Sequence, residues 1–202
     1  VRFSEEDALG GDDLYSSSKA SADIITTSYY NSFFKNKRCG VASVRAGNCI
    51  GGGDWTKFRI LTDASESFLK NKKLVIRNPN SVRPWQHVLE PLLGYIILAE
   101  KIFSNKKKIF SNSWNFGPKL ANQVKVKDFA KILRRKMKSR SKIFLNKKTD
   151  DREKKYLDLN SKKSKKYLGW RSFLNIHKTL ELTAKWYLAN SKKKNMLEET
   201  TR

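Results

Sequence analysis

Leu14-Tyr15-Ser16-Ser17-Ser18-Lys19-Ala20-Ser21-Ala22 sets a tyrosine and a lysine four residues apart at the start of a helical pattern. On a helix that spacing puts both side chains on one face, about one turn apart. An ammonium beside a phenol stabilises the phenolate, which suits the phenol to general acid or base work near neutral pH. The bare pattern also describes an ordinary solvated helix face, so its surroundings must decide. From Tyr15 to Phe34, Ala20, Ile24, Ile25, Ser28, Tyr29 and Phe33 recur with a period near 3.6, which predicts one helix.

Outward from that helix the chain alternates. Residues 1–13, with acidic Glu5, Glu6 and Asp7 and paired Gly10-Gly11, have turn chemistry. Cys39 to Val44 reads as a short buried strand, and Gly47 to Gly53 as a glycine-rich loop that allows backbone to approach a ligand closely. Helices are predicted over Arg59–Asn71, His87–Phe103, Val126–Met137, Ser161–Leu168 and Asn175–Ala189, with strands over Lys73–Arg77, Ser113–Phe116 and Lys142–Leu145. Pro84 is expected to end an extended region, Pro91 to sit in the first turns of a helix, and Asn160 to cap one. Residues 191–202 are polar and expected to fray. Strands alternating with helices give an α/β class. No G-x-G-x-x-G fingerprint and no internal repeat occurs.

Bulk properties narrow the function. With 202 residues, 39% hydrophobic and 31% charged, the chain can bury a sizeable core. No apolar run is long enough to span a bilayer, and the acidic start is not a signal peptide, so no membrane partner is expected; two cysteines without a disulfide framework lead to the expectation of a reducing cytoplasm. Cys39 and Cys49 make neither a disulfide framework nor a metal site and read as small buried apolar residues. A net charge of +24 ordinarily suggests a polyanion partner. Here the lysines are spread over many segments, and the densest basic stretch, Lys125 to Lys142, still carries the apolar stripe Val126, Phe129, Ala130, Leu133 and Met137. No dedicated nucleic-acid partner is therefore expected.

Among single residues, Arg83 is the leading anion contact. Its planar fork matches a diphosphate, and its place between Val82 and Pro84 restrains its direction. Arg59 and Arg77 are further candidates, each with solvated surface charge as the alternative. Arg45 and Asn48 flank a strand end, where α/β sheets place ligands. The alternative for Asn48 is a loop asparagine bonding its own backbone. His87 could touch a nucleotide and His177 reads as structural, but two distant histidines make no metal site.

Gly10-Gly11-Asp12-Asp13-Leu14-Tyr15-Ser16-Ser17-Ser18-Lys19 resembles the active-site segment of the extended short-chain dehydrogenase/reductases that act on nucleotide sugars. Ser43 to Trp55, Ile76 to Pro91 and Trp114-Asn115-Phe116-Gly117-Pro118 resemble one subgroup, the CDP-glucose 4,6-dehydratases. The resemblance runs to about Trp186 and thins between Lys119 and Lys155. It implies NAD as cofactor and a nucleotide-sugar substrate, CDP-glucose. The product implied is CDP-4-keto-6-deoxyglucose. Tyr15 would take the C4 hydroxyl proton, and Lys19 would support it and bond the nicotinamide ribose. Asn48 would face the substrate, Arg83 its diphosphate, and Asn115 the nucleotide.

The resemblance further implies the C-terminal part of a Rossmann-type doubly wound parallel sheet plus a smaller α/β substrate-binding domain. Residues 1–58 would finish the NAD-binding domain and 59–190 form mainly the substrate domain. A chain of this extent would be the C-terminal portion of a longer protein, homodimeric at full length and inactive alone. Residues 150–156 fall where relatives contact the nucleotide, and Arg152 stands where a histidine is expected. The alternatives are another nucleotide-sugar epimerase or dehydratase of the family, and a basic binding module without activity.

Overall fold

The computed structural model describes residues 2–105, 108–146 and 156–201. In chain order the elements are α1 (Leu14–Tyr29), continued by a π-helical turn (Tyr30–Phe34), β1 (Ser43–Ala46), β2 (Asn48–Ile50), α2 (Ile60–Leu69), β3 (Leu74–Ile76), β4 (Val82–His87) and α3 (Leu89–Asn105). Then come β5 (Ser113–Phe116), β6 (Gln123–Lys125), α4 (Val126–Lys136), β7 (Ile143–Leu145), α5 (Lys162–Leu168), α6 (Ile176–Ser191) and α7 (Met196–Thr201). The class is α/β, with three parallel strand pairs and one antiparallel pair among the described residues.

Two compact units are built from interleaved segments. One comprises Val1–Gly47, Leu89–Pro118 and Asp158–Phe173, and the other Asn48–Val88, Lys119–Leu157 and Leu174–Arg202. The boundary expected at residues 58 and 59 therefore differs from the observed division. The reason is topological: parallel strands need a long crossover, so β1 meets its partner β5 only after a long excursion through the second unit.

In the first unit β1 pairs with β5 from Ser43↔Ser113 to Ala46↔Phe116. Leu98, Phe110, Trp114, Phe116, Leu168 and Trp170 form its core. Both tryptophans satisfy their indole N–H: Trp114 donates to the Phe110 carbonyl at 3.0 Å and Trp170 to the Glu90 carbonyl at 2.9 Å. α5 ends at Gly169, whose φ of 68° closes the helix as glycine does best. Asn160 accepts from the Lys162 N–H at 3.0 Å, although the backbone places the cap position itself at Ser161.

In the second unit β2, β4 and β6 form one sheet and β3 pairs with β7. The stripe on α4 is buried as its period predicts: Val126, Phe129, Ala130, Leu133 and Met137 all join the core. Phe129 stacks on Trp85 of β4 at 4.2 Å.

Three expectations are corrected in the second unit. Pro84 lies within β4 rather than ending it. It closes the ladder with β6 (Pro84↔Gln123), just before the ladder with β2 begins at Trp85, where its missing N–H costs least. Asn48–Ile50 is a strand, not loop. Within the tail expected to fray, Met196–Thr201 form α7, held to α6 by Trp186 Nε1 donating to Thr200 Oγ1 at 3.0 Å.

Candidate active site

In the first unit Tyr15 and Lys19 lie where the sequence put them, on the first turns of α1. Asp13 caps the helix, its carboxylate accepting from the Ser16 N–H at 3.0 Å and from the Ser16 hydroxyl. The Ser16 hydroxyl holds the Asp13 carboxyl below the usual carboxylate range. Ser17 Oγ ties the same turn to the Gly11 carbonyl at 2.9 Å. The helix start is thus over-determined, and Tyr15 points outward, 72% exposed. Lys19 Nζ stands 5.6 Å from the Tyr15 ring centroid. An open phenol under an ammonium can give or accept a proton at a ligand hydroxyl.

Behind this pair α1 is tied to the sheet. Asp23, the buried residue of α1, binds Arg45 Nε of β1 at 2.5 Å and accepts from the Ser113 hydroxyl of β5 at 3.1 Å. Burial pushes its carboxyl up, but Arg45, with the Ser43 and Ser113 hydroxyls, outweighs burial and holds it below the ordinary range.

Asn115 is not a surface ligand contact in this structure. It is fully buried in β5, its Nδ2 donating to the Phe3 carbonyl at 3.1 Å and its own N–H to Glu5 at 2.7 Å. It fastens the 3–5 segment to the sheet.

In the second unit two of the predicted arginines act on one loop. Arg59 pairs with the Asp54 carboxylate at 3.2 Å, and Arg77, just past β3, donates to the Phe58 carbonyl at 3.1 Å. The loop is held at its root by Tyr187, whose hydroxyl donates to the Asp54 carbonyl at 2.6 Å, and by Thr62 Oγ1 on the same oxygen at 3.1 Å. Phe58 adopts φ 66°, a left-handed conformation uncommon for an aromatic residue. It is 79% exposed, and Trp55 is 45% exposed beside it in the chain. Two guanidiniums held against a short loop that carries two exposed aromatic rings can take an anion and a stacked base.

Arg83 is buried in β4, its Nη1 donating to the Val82 carbonyl at 2.9 Å. Asn48 is half-buried at the start of β2 and pairs in register with Trp85, two positions beyond Arg83. The glycine-rich turn serves packing: a Cβ on Gly52 would come 2.0 Å from the Trp186 indole, and Gly53 has φ 83°. The close approach expected for a ligand is made by a tryptophan.

His87 is buried and His177 exposed. Cys39 is exposed, against the buried reading, and Cys49 half-buried. Among the described residues no group of three or more His, Cys, Asp or Glu could hold a metal, and no helix is long and apolar enough to cross a membrane. Asp150 to Lys155, with Arg152, lie outside the described residues. Sequence reasoning missed the Asp23–Arg45 pair and the exposed Trp55 and Phe58. The only available signal was charge at one position of an apolar helix and two aromatics after a glycine run.

No protein-family model matches the chain. It is 38% identical over 200 residues to CDP-glucose 4,6-dehydratase of Salmonella typhimurium, covering 96% of this chain and 55% of that protein. The chain thus spans about half the length of the curated relative. Among solved structures, dTDP-glucose 4,6-dehydratase from Streptomyces venezuelae, with NAD and TYD bound, superposes with a TM-score of 0.78 at 17% identity, covering 98% of this chain and 57% of that one. The Bacillus anthracis dTDP-glucose 4,6-dehydratase in complex with NAD gives 0.76 at 22% identity, covering 96% and 58%. UDP-glucuronic acid 4-epimerase from Bacillus cereus, with UDP-glucuronic acid and NAD, gives 0.73 at 17%, covering 92% and 58%. These structures share the fold of the chain.

Proposed function

We propose that this chain carries the proton-transfer pair and substrate contacts of an NAD-dependent CDP-glucose 4,6-dehydratase, a lyase. The observation that carries the reading is the open Tyr15 phenol under the Lys19 ammonium, in a chain 38% identical to such an enzyme over 96% of its length. Tyr15 accepts the proton of the sugar C4 hydroxyl as that carbon is oxidised. Lys19 stabilises the phenolate that Tyr15 presents as the base, which becomes the neutral phenol on taking the proton, and offers donors to a ribose. An exposed hydroxyl and ammonium on one helix face fit the nicotinamide end of NAD, which when bound supplies the hydride acceptor for C4 and later returns the hydride.

For the anionic diphosphate the candidates are side chains of β4, of the loop before α2, and of the ends of β2 and β3. Arg83 offers the fork, Arg59 and Arg77 supply charge around the aromatic loop, and Asn48 supplies a neutral donor. The setting proposed is cytoplasmic, with homodimers at full length and no dedicated nucleic-acid or membrane partner.

The test is turnover of CDP-glucose with NAD by the protein at its full natural length, read as loss of one water from the mass of the nucleotide sugar. Tyr15→Phe is expected to retain CDP binding and lose kcat by a factor on the order of a hundred or more, as for a lost general base. Turnover near the parent's would remove Tyr15 from the mechanism. A product of unchanged mass would assign epimerisation instead.

A further inference from the structure

Tyr15, Lys19 and Asp23 follow one another on α1 at four-residue intervals. Lys19 therefore has two possible partners, a phenol one turn before it and a carboxylate one turn after it. The carboxylate has only 8% of its side chain exposed. A desolvated carboxylate lacking a counter-ion attracts any ammonium within reach, because the alternative is an uncompensated buried charge. Yet Lys19 makes no ion pair among the described residues, and its Nζ sits over Tyr15. What removes the competition is Arg45, reaching from β1 to Asp23 Oδ2, with Ser113 on Oδ1.

We propose that Arg45 is a positioning residue for the Tyr15–Lys19 pair: by holding the Asp23 carboxylate against the β1–β5 sheet, it leaves the Lys19 ammonium to Tyr15. The inference rests on reading Tyr15 and Lys19 as the proton-transfer pair, and it adds a residue that touches neither. Asp23 has a double effect. It anchors the helix to the sheet, and without Arg45 it would draw Lys19 one turn away from the phenol. In the chain just before α1 stand Asp12 and Asp13, and Asp13 is occupied by Ser16.

The experiment reads the ring-current displacement of the Lys19 ε-methylene NMR signal in the protein at its full natural length, with Tyr15→Leu as the zero because it removes the ring. The parent is expected to show a displacement. Arg45→Met should abolish it as Lys19 turns to Asp23, and Arg45→Met/Asp23→Asn should restore it, since no carboxylate is left to compete. A displacement unchanged in folded Arg45→Met would overturn the proposal. So would a loss that persists in the double variant, which would make Arg45 merely structural. Should Arg45→Met not fold, Arg45→Gln keeps a donor for Asp23 without the charge, and an undiminished displacement there is equally fatal. Turnover of Tyr15→Phe judges the catalytic reading and the methylene signal judges Arg45, so the two fail separately.

Discussion

Tyr187→Phe is expected to lower stability at pH 8 and to remove an alkaline weakness at the same time. Tyr187 is fully buried on α6, and its ring meets Trp55 edge-on at 5.2 Å and Trp186 at 5.5 Å. Phenylalanine keeps those contacts and loses only the hydroxyl that donates to the Asp54 carbonyl. That carbonyl retains Thr62 Oγ1, so it is not orphaned. The loss is then one net hydrogen bond, about 1 kcal/mol, or roughly 2–4 °C in Tm for a chain of this size.

Burial, helped by the negative charge of Asp54, pushes the Tyr187 phenol up to about 12, against a pull downward from its bond to the Asp54 backbone. The folded value lies above the unfolded one, near 10. The neutral phenol's contribution is therefore complete below about pH 10 and is lost as pH rises from there toward 12, at up to about 1.4 kcal/mol per pH unit. Set against a deficit of about 1 kcal/mol, this makes the parent and variant curves converge and cross near pH 11. Urea midpoints for both proteins between pH 8 and 11.5, at equal m-value, are the assay. Parallel curves would refute the argument, as would a variant no weaker than the parent at pH 8.

Two further outcomes are expected. Gly94 sits mid-helix in α3, where alanine would gain about 1 kcal/mol of propensity. Its Cβ would stand 2.3 Å from Phe116 and 3.1 Å from Trp170, so Gly94→Ala should destabilise by about 1–3 kcal/mol net in a denaturant titration, and a stabilised variant would mean α3 moves freely on β5. Arg83→Lys should keep the fold and weaken CDP binding by about tenfold in calorimetry, because a point charge lacks the fork; unchanged affinity would move the diphosphate to Arg59 and Arg77.

Elements with their own period or stop signal were legible in the sequence. α4 shows its apolar stripe, β5 is closed by Gly117-Pro118, and α6 is capped by Asn175, which accepts from the Lys178 N–H at 2.9 Å. β2 was not, because a three-residue strand owes its existence to β4, a partner about 37 residues away in the chain. Pro84 within β4 misled for the same reason. Whether a proline ends a strand depends on which side of the strand is unpaired at that residue, a property of register rather than of composition. α1 is a mixed case. Its period predicted a helix correctly, but Ile24, Ile25, Tyr29 and Phe33 are each more than half exposed, while Asp23 is buried. Periodicity shows that a helix has an apolar face and leaves open what covers it.

The candidate site divides along the same line. Tyr15 and Lys19 were legible because their relation is local: four residues of helix suffice to bring ammonium and phenol together. The contacts of Asn115 were not legible because they are not local. An asparagine near the end of a strand in an α/β sheet faces a ligand or holds a neighbouring backbone, and only the Phe3 carbonyl at its amide decides. Asp23 and Arg45 show the consequence for function. In the sequence Asp23 is a charge on an apolar helix and Arg45, 22 residues on, a charge at a strand end; the fold pairs them, and on that pairing the proposal for Lys19 rests. A phenol and an ammonium one turn apart can thus be found from their spacing, while the groups packed behind them are found only where the fold brings a helix onto a strand.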